Sequence, residues 1–277
     1  MKLLNSWLMA SAISTVAARP WPRAANTTST YFFTFGNSYT QTGFSTAGEQ
    51  PSPSNPMGNP ALGTGTTTGG ENWVGYLTTA QNASLVLSYN LAVGGASIDN
   101  SLVQGSTDVD LASQVDIFDE TYSSKPASAP WSAENSVFGF WIGINDIGNA
   151  FYNTDADTFT PKLIARLASL VERIYSAGGN ATVEQHVAYL AVYNRNLESM
   201  VDGFKTNHTD VTVAYYDSWS FMTKVLDDPT DYGFPDATCI NDDGTSCIWW
   251  NDYHPSAKYH QLQAEDMKKV LQPLGAW

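Results

Sequence analysis

Ser38 follows the aromatic and β-branched run 30–35, Thr-Tyr-Phe-Phe-Thr-Phe, and the glycine Gly36. That pattern predicts a buried strand running into a turn, which would put the Ser38 hydroxyl at a strand end. A serine hydroxyl is a weak nucleophile until a base takes its proton, and imidazole, with an ordinary pKa of about 6.5, can do so near neutrality. Of the four histidines, His186, His208 and His260 sit in helical or sequon contexts without companions and read as structural. His254, in the loop Asp252-Tyr-His-Pro255, is the candidate base. Gly95 ends the segment Asn90-Leu-Ala-Val-Gly-Gly95; lacking a Cβ, it would let a backbone amide approach a substrate closely. Asn145, in Gly143-Ile-Asn-Asp146, adds a side-chain amide, a group that in isolation more often caps its own loop.

The surrounding pattern supplies elements able to position these residues. Helices are predicted over 73–81, 111–122 and 220–226 and from Ser256 to the C-terminus, and strands over 85–92, 136–142 and 211–216. The run 136–142 is apolar throughout, as suits a central parallel strand covered on both faces. Leu163, Ile164, Leu167, Leu170, Val171 and Ile174 recur at helical spacing and stop at Gly178-Gly179. The stretch 182–204 is also helical by period, so no strand is expected between the two helices. Residues 46–70, rich in Pro, Gly, Ser and Thr, are expected to be loop. Alternating strands and helices predict an α/β fold with a mainly parallel sheet, which binds ligands at the carboxyl ends of its strands. Gly36 to Ser38, Val93 to Gly95 and Gly143 to Asp146 all fall at such ends.

Phe35-Gly-Asn-Ser-Tyr-Thr40, Asn90-Leu-Ala-Val-Gly-Gly95, Gly143-Ile-Asn-Asp146 and Asp252-Tyr-His-Pro255 occur in that order, and together they resemble the four blocks of the GDSL/SGNH hydrolases. The Tyr-Phe-Phe-Thr-Phe-Gly-x-Ser-Tyr-Thr-Gln-Thr-Gly start and the Trp-Trp-Asn-Asp-Tyr-His-Pro end resemble fungal acetyl esterases of carbohydrate esterase family 16. The resemblance implies a flavodoxin-like three-layer sandwich and a carboxylic ester hydrolase without cofactor. It further implies Ser38 and His254 as catalytic residues, and the amides of Ser38 and Gly95 and the side chain of Asn145 as an oxyanion hole. Acetylated hemicellulose-derived oligosaccharides are the implied substrates.

Three departures from that pattern stand out. Asn37 replaces the usual Asp before the nucleophile. Asn251 stands three residues before His254, where the family has an Asp; Asn251, the neighbouring Asp252 or a backbone carbonyl could each orient the imidazole. Finally, family members place a strand between Gly178 and Thr182, for which three residues are too few. Either 211–216 takes that place beside the third strand, or the sheet has a gap, or the sequence derives from an incorrect transcript model.

Composition bounds the remainder. The 277 residues suit one domain, expected over 30–277 after a signal peptide at 1–18 and a short segment at 19–29. Lys2 and the run from Leu3 to Val16, ending in Ala17-Ala18, fit such a leader. A membrane anchor would need about 20 apolar residues, and this run is interrupted by Asn5, Ser6, Ser11 and Ser14. A secreted, extracellular protein is therefore expected. Cys239 and Cys247 would then pair, and the sequons at Asn26, Asn82, Asn180 and Asn207 would be acceptors of glycan. The net charge of −14 argues against nucleic acid and anionic membranes as partners. A monomer acting on a neutral acetylated carbohydrate is expected.

Other chemistries fit less well. Gly36-Asn-Ser-Tyr-Thr40 lacks the final glycine of a Gly-x-Ser-x-Gly elbow. Asp227-Asp228 and Asp242-Asp243 are adjacent loop pairs rather than facing glycosidase acids, and no metal-ligand spacing is present. The alternatives are a lipase or broad short-chain esterase of the same superfamily, or a catalytically impaired carbohydrate binder using Trp249 and Trp250 as sugar platforms. Those indoles are more simply read as packing on the cysteine loop. A histidine base predicts activity falling below about pH 6.

Overall fold

The computed structural model describes residues 29–178, 181–184 and 189–277. The expected leader and the residues Asn26, Asn180 and His186 lie outside them. Five strands form one sheet: β1 (Ser29–Gly36), β2 (Leu85–Asn90), β3 (Ser136–Trp141), β4 (Ala181–Glu184) and β5 (Tyr215–Tyr216). Their order is β2-β1-β3-β4-β5, and every neighbouring pair is parallel. This is the flavodoxin-like order, with its reversal of winding between β1 and β3.

The continuous apolar strands follow from burial on both faces. Phe33 and Phe35 point to one side, where they stack on Phe138 and Phe140 at 5.0 and 4.9 Å between ring centroids. That side is covered by α2 (Leu111–Thr121), α4 (Ala156–Ser176) and α5 (Tyr189–Asn207), through Val115, Phe118, Leu167, Leu170 and Leu197. Phe32, Val86, Val137 and Trp141 point to the other. There α1 (Trp73–Thr79), α6 (Ser218–Asp227) and α7 (Ala257–Leu271) close the third layer with Leu77, Val225, Tyr259 and Met267. Successive side chains of a strand alternate sides, so each helical layer receives half of every strand.

Two expectations need correction. The stretch from Thr182, predicted as helix, begins as strand: Ala181–Glu184 lies beside β3, with Phe138 opposite Ala181 and Trp141 opposite Glu184, and α5 is described from Tyr189. So short a run, Ala-Thr-Val-Glu, fits either period, and an open edge of β3 decides it in favour of a ladder. The place beside β3, for which the sequence offered no strand between Gly178 and Thr182, is thus held by these four residues. The run 211–216 does not reach it, pairing instead with β4 through Tyr215 and Tyr216 alone. A short helix, α3 (Ile144–Ala150), was also not anticipated; it follows Gly143, whose φ of 120° favours glycine.

Candidate active site

Ser38 sits one turn beyond the carboxyl end of β1, and its position is fixed from several directions. Gln114 of α2, fully buried, clasps the backbone of Gly36 with both ends of its amide: Oε1 accepts from Gly36 N and Nε2 donates to Gly36 O, each at 2.8 Å. Gly36 itself has φ +145°, and a Cβ there would lie 2.0 Å from the Trp141 carbonyl oxygen, so only glycine lets β1 turn this close to β3. On the far side, Asn72 and Asn90 both donate to Thr40 O, at 2.9 and 2.6 Å. Asn72 also caps α1, accepting from Val74 N and Gly75 N. Asn37, the departure from the family's Asp, is buried and accepts from Tyr39 N at 3.0 Å, closing the turn that presents Ser38.

Across from it, His254 Nε2 lies 2.8 Å from Ser38 Oγ. The ring is oriented by Asn251, whose Oδ1 is 3.2 Å from His254 Nδ1 and accepts from the amides of Tyr253 and His254 at 2.8 and 2.7 Å. Of the three orienting groups open from the sequence, Asn251 is therefore the one in contact; Asp252 is exposed and is felt by the ring only as a nearby negative charge. Burial pulls the His254 pKa below the ordinary histidine value, partly opposed by Asp252. The turn is braced by Tyr39, next to the nucleophile, which donates its hydroxyl to Tyr253 O at 2.7 Å and packs its ring 5.5 Å from His254.

The third component is the turn after β2. Gly94 packs against the nucleophile: a Cβ at this position would come 3.6 Å from Ser38 Cβ. The Gly94 amide donates to Gln41 Oε1, and Gln41 Nε2 donates to Gly65 O. Gly95 has φ +80°, and a Cβ there would collide with Ser106 Oγ. Asn145, in the first turn of α3, donates Nδ2 to Ala96 O at 2.8 Å, which leaves its second N–H. Among the described residues, the amides of Ser38 and Gly95 donate to no internal acceptor.

The remaining expected residues have other surroundings. Cys239 and Cys247 are joined as a disulfide, with Cα atoms 5.1 Å apart. The Trp250 indole donates to Asp242 O of the loop the disulfide closes at 3.2 Å, and the Trp249 indole donates to Ala237 O, just before that loop, at 2.8 Å. Asn82 is half-buried and donates to Ser84 O, whereas Asn207 is exposed. His208 pairs with Glu172 at 3.0 Å, and His260 is fully buried. No cluster of potential metal ligands occurs among the described residues, and none of their helices is long and apolar enough to cross a membrane. Gln114 and Asn72, which hold the Ser38 turn, were not singled out from sequence; Tyr39, which braces the His254 turn, and Asn90 lay in quoted blocks without a role.

A serine–histidine contact at the switch point of a flavodoxin-like sheet defines the class as ester hydrolases of the SGNH type. The chain belongs to the GDSL-like lipase/acylhydrolase family, which it matches over residues 32–267. An acetylesterase of Thermothelomyces thermophilus is 38% identical over 272 residues, 90% of each chain. A GDSL esterase/lipase of Arabidopsis thaliana is 24% identical over 194 residues, 57% of this chain and 52% of that one. Among solved structures, a catalytic mutant of an acetylxylan esterase from Geobacillus stearothermophilus superposes with a TM-score of 0.51 at 13% identity, covering 89% of this chain and 94% of the other. The protein YXIM of Bacillus subtilis gives 0.51 at 13% identity, over 90% of this chain and 57% of that longer one.

Proposed function

We propose that this carboxylic ester hydrolase is a secreted acetylesterase that removes acetyl groups from carbohydrates through an acyl-enzyme on Ser38. The observation carrying the proposal is the 2.8 Å contact between Ser38 Oγ and a half-buried, neutral-favouring His254. The 38% identity to an acetylesterase supports the acyl group, and the acetylxylan esterase among the fold neighbours is consistent with a sugar alcohol. The domain at 30–277, the leader at 1–18 and glycan at Asn82 and Asn207 belong to the same reading.

His254 Nε2 takes the Ser38 proton as Oγ attacks the acetyl carbonyl, while Nδ1–H donates to Asn251 Oδ1. The carbonyl oxygen, now negative, accepts from the amides of Ser38 and Gly95 and the second N–H of Asn145. Collapse expels the sugar oxygen, which takes the proton from Nε2. Water then loses a proton to the same nitrogen and attacks the acetyl-serine. That proton returns to Ser38 as acetate leaves. Asn251 supplies a dipole where an Asp would supply a charge, so the imidazolium is less stabilised than in a full triad.

The test is acetate release from acetylated xylo-oligosaccharide by wild type and Ser38→Ala, with a chain-length series of 4-nitrophenyl esters. Release from the sugar that falls about 10³-fold or more in the variant supports the proposal. A folded wild type that releases nothing and leaves Ser38 unlabelled by an organophosphonate would instead indicate an impaired carbohydrate-binding relative, the reading that Asn251 favours. Faster turnover of long acyl chains would turn the assignment to a lipase.

A further inference from the structure

The residue after Asn145 has no part in the steps above, yet it is the only carboxyl among the described residues that is wholly buried. Asp146 Oδ1 accepts from Ile98 N at 2.9 Å, while Oδ2 has no hydrogen-bond partner among the described residues. Immediately beside this bond, Asn145 Nδ2 donates to Ala96 O. Two consecutive side chains of the first turn of α3 thus grip the segment that begins at Gly95, one through a carbonyl and one through an amide. We infer that Asp146 is a positioning residue that keeps the Gly95 amide aimed at the substrate carbonyl by clipping the 95–98 turn to α3. This rests on the reading of Gly95 as an oxyanion donor.

The clip works as a neutral acid. A carboxylate with one oxygen sealed from water and unpaired is expensive, whereas a protonated carboxyl still accepts from Ile98 N. Burial raises the Asp146 pKa to about 7; the amides of Ile98 and Asp146 oppose this, and the negative charges of Asp110 and Asp99 add to it. Every other titratable group felt by this carboxyl is an acid. Asp110 caps α2, Asp99 follows the clipped turn, and Tyr193 of α5 is a buried phenol raised far above its ordinary value, partly by Asp146 itself. The cation that pairs with Asp99, Arg166 of α4, is committed to it at 2.7 Å. Ionisation as pH rises through about 7 therefore meets no compensating charge, and the turn must shift or admit water.

The experiment compares wild type, D146N and D146A on 4-nitrophenyl acetate from pH 5.5 to 9, with Ser38→Ala as the blank and thermal melts to confirm folding. Asn keeps the acceptor and cannot ionise, so D146N should retain kcat within about threefold at pH 6 and hold it level to pH 9, where wild-type kcat falls. D146A, without the acceptor, should lose about 10- to 100-fold in kcat with KM within about threefold. A D146A enzyme as fast as wild type, a D146N enzyme as slow as D146A at pH 6, or a wild-type kcat level to pH 9 would each overturn the inference. A wild type no faster than Ser38→Ala defeats the serine-esterase reading instead. The inference is then decided by carbon-13 NMR of the Asp146 carboxyl, assigned by its loss in D146N: a midpoint near 7 upholds the neutral clip, and one near the ordinary 4 overturns it.

Discussion

His254 works beside an amide rather than a carboxylate, and its pKa is lowered by burial. If the neutral ring is the base, as proposed, kcat/KM should persist below the ordinary histidine midpoint of about 6.5 before it falls, as a pH profile with 4-nitrophenyl acetate will register. The sequence alone suggested a fall below about pH 6. Asn251→Asp would place a negative charge on Nδ1 and raise that pKa. The acid limb should move to higher pH while kcat rises about tenfold, a fraction of what a carboxylate is worth in a full triad. An unchanged limb would mean that the new carboxylate does not reach the ring. Ser38 and His254, which the fold brings into contact, were legible as a proposed pair in the sequence, as were Gly95 and Asn145 as proposed donors, because their types and order suggest the chemistry. The choice among Asn251, Asp252 and a carbonyl was not, because it depends on which way neighbouring loop side chains point.

The nucleophile turn is anchored by an element distant in sequence. Gln114 satisfies both backbone groups of Gly36 inside the protein. Gln114→Leu would leave the buried Gly36 N–H unpaired, costing about 1–3 kcal/mol, while Gly36 O keeps the Val93 amide at 3.1 Å. The urea midpoint should fall accordingly, and kcat should fall with it because Ser38 is two residues away; a loss of stability at constant kcat would separate the clasp from the site. Long helices and the apolar strands were readable from their periods, since 3.6 and 2 diverge over six residues or more. Ala181–Glu184 and α3 were not: four residues fit either period, and α3 covers barely two turns. Gln114 was invisible for another reason, since a polar residue on a helix face reads as solvated until a strand end is packed against it.

In the molecule as a whole, acidity penalises one buried group above others. His260 of α7 is fully enclosed, neither ring nitrogen has a partner among the described residues, and its pKa is pulled down to about 3, chiefly by burial. Its folded pKa lies below the unfolded one, so the neutral ring's contribution is fully present above about pH 6.5 and is lost as pH falls toward about 3, at up to about 1.4 kcal/mol per pH unit. His260→Met should flatten the decline of melting temperature between pH 6.5 and 4; an unaltered slope would place the acid lability elsewhere.

Among the described residues, one margin of the sheet is very short and the other is partly engaged. β5 contributes only Tyr215 and Tyr216, and β2 has its outer side engaged where Ser88 N donates to Pro56 O at 2.9 Å. A margin two residues long cannot register a foreign strand, and one already bonded to a proline-rich loop has few donors left to offer. Among the described residues, the sheet margins accordingly offer little template for cross-β growth. The shortness of β4 and β5, which obscured them in the sequence, is what keeps that side of the sheet from acting as a seed.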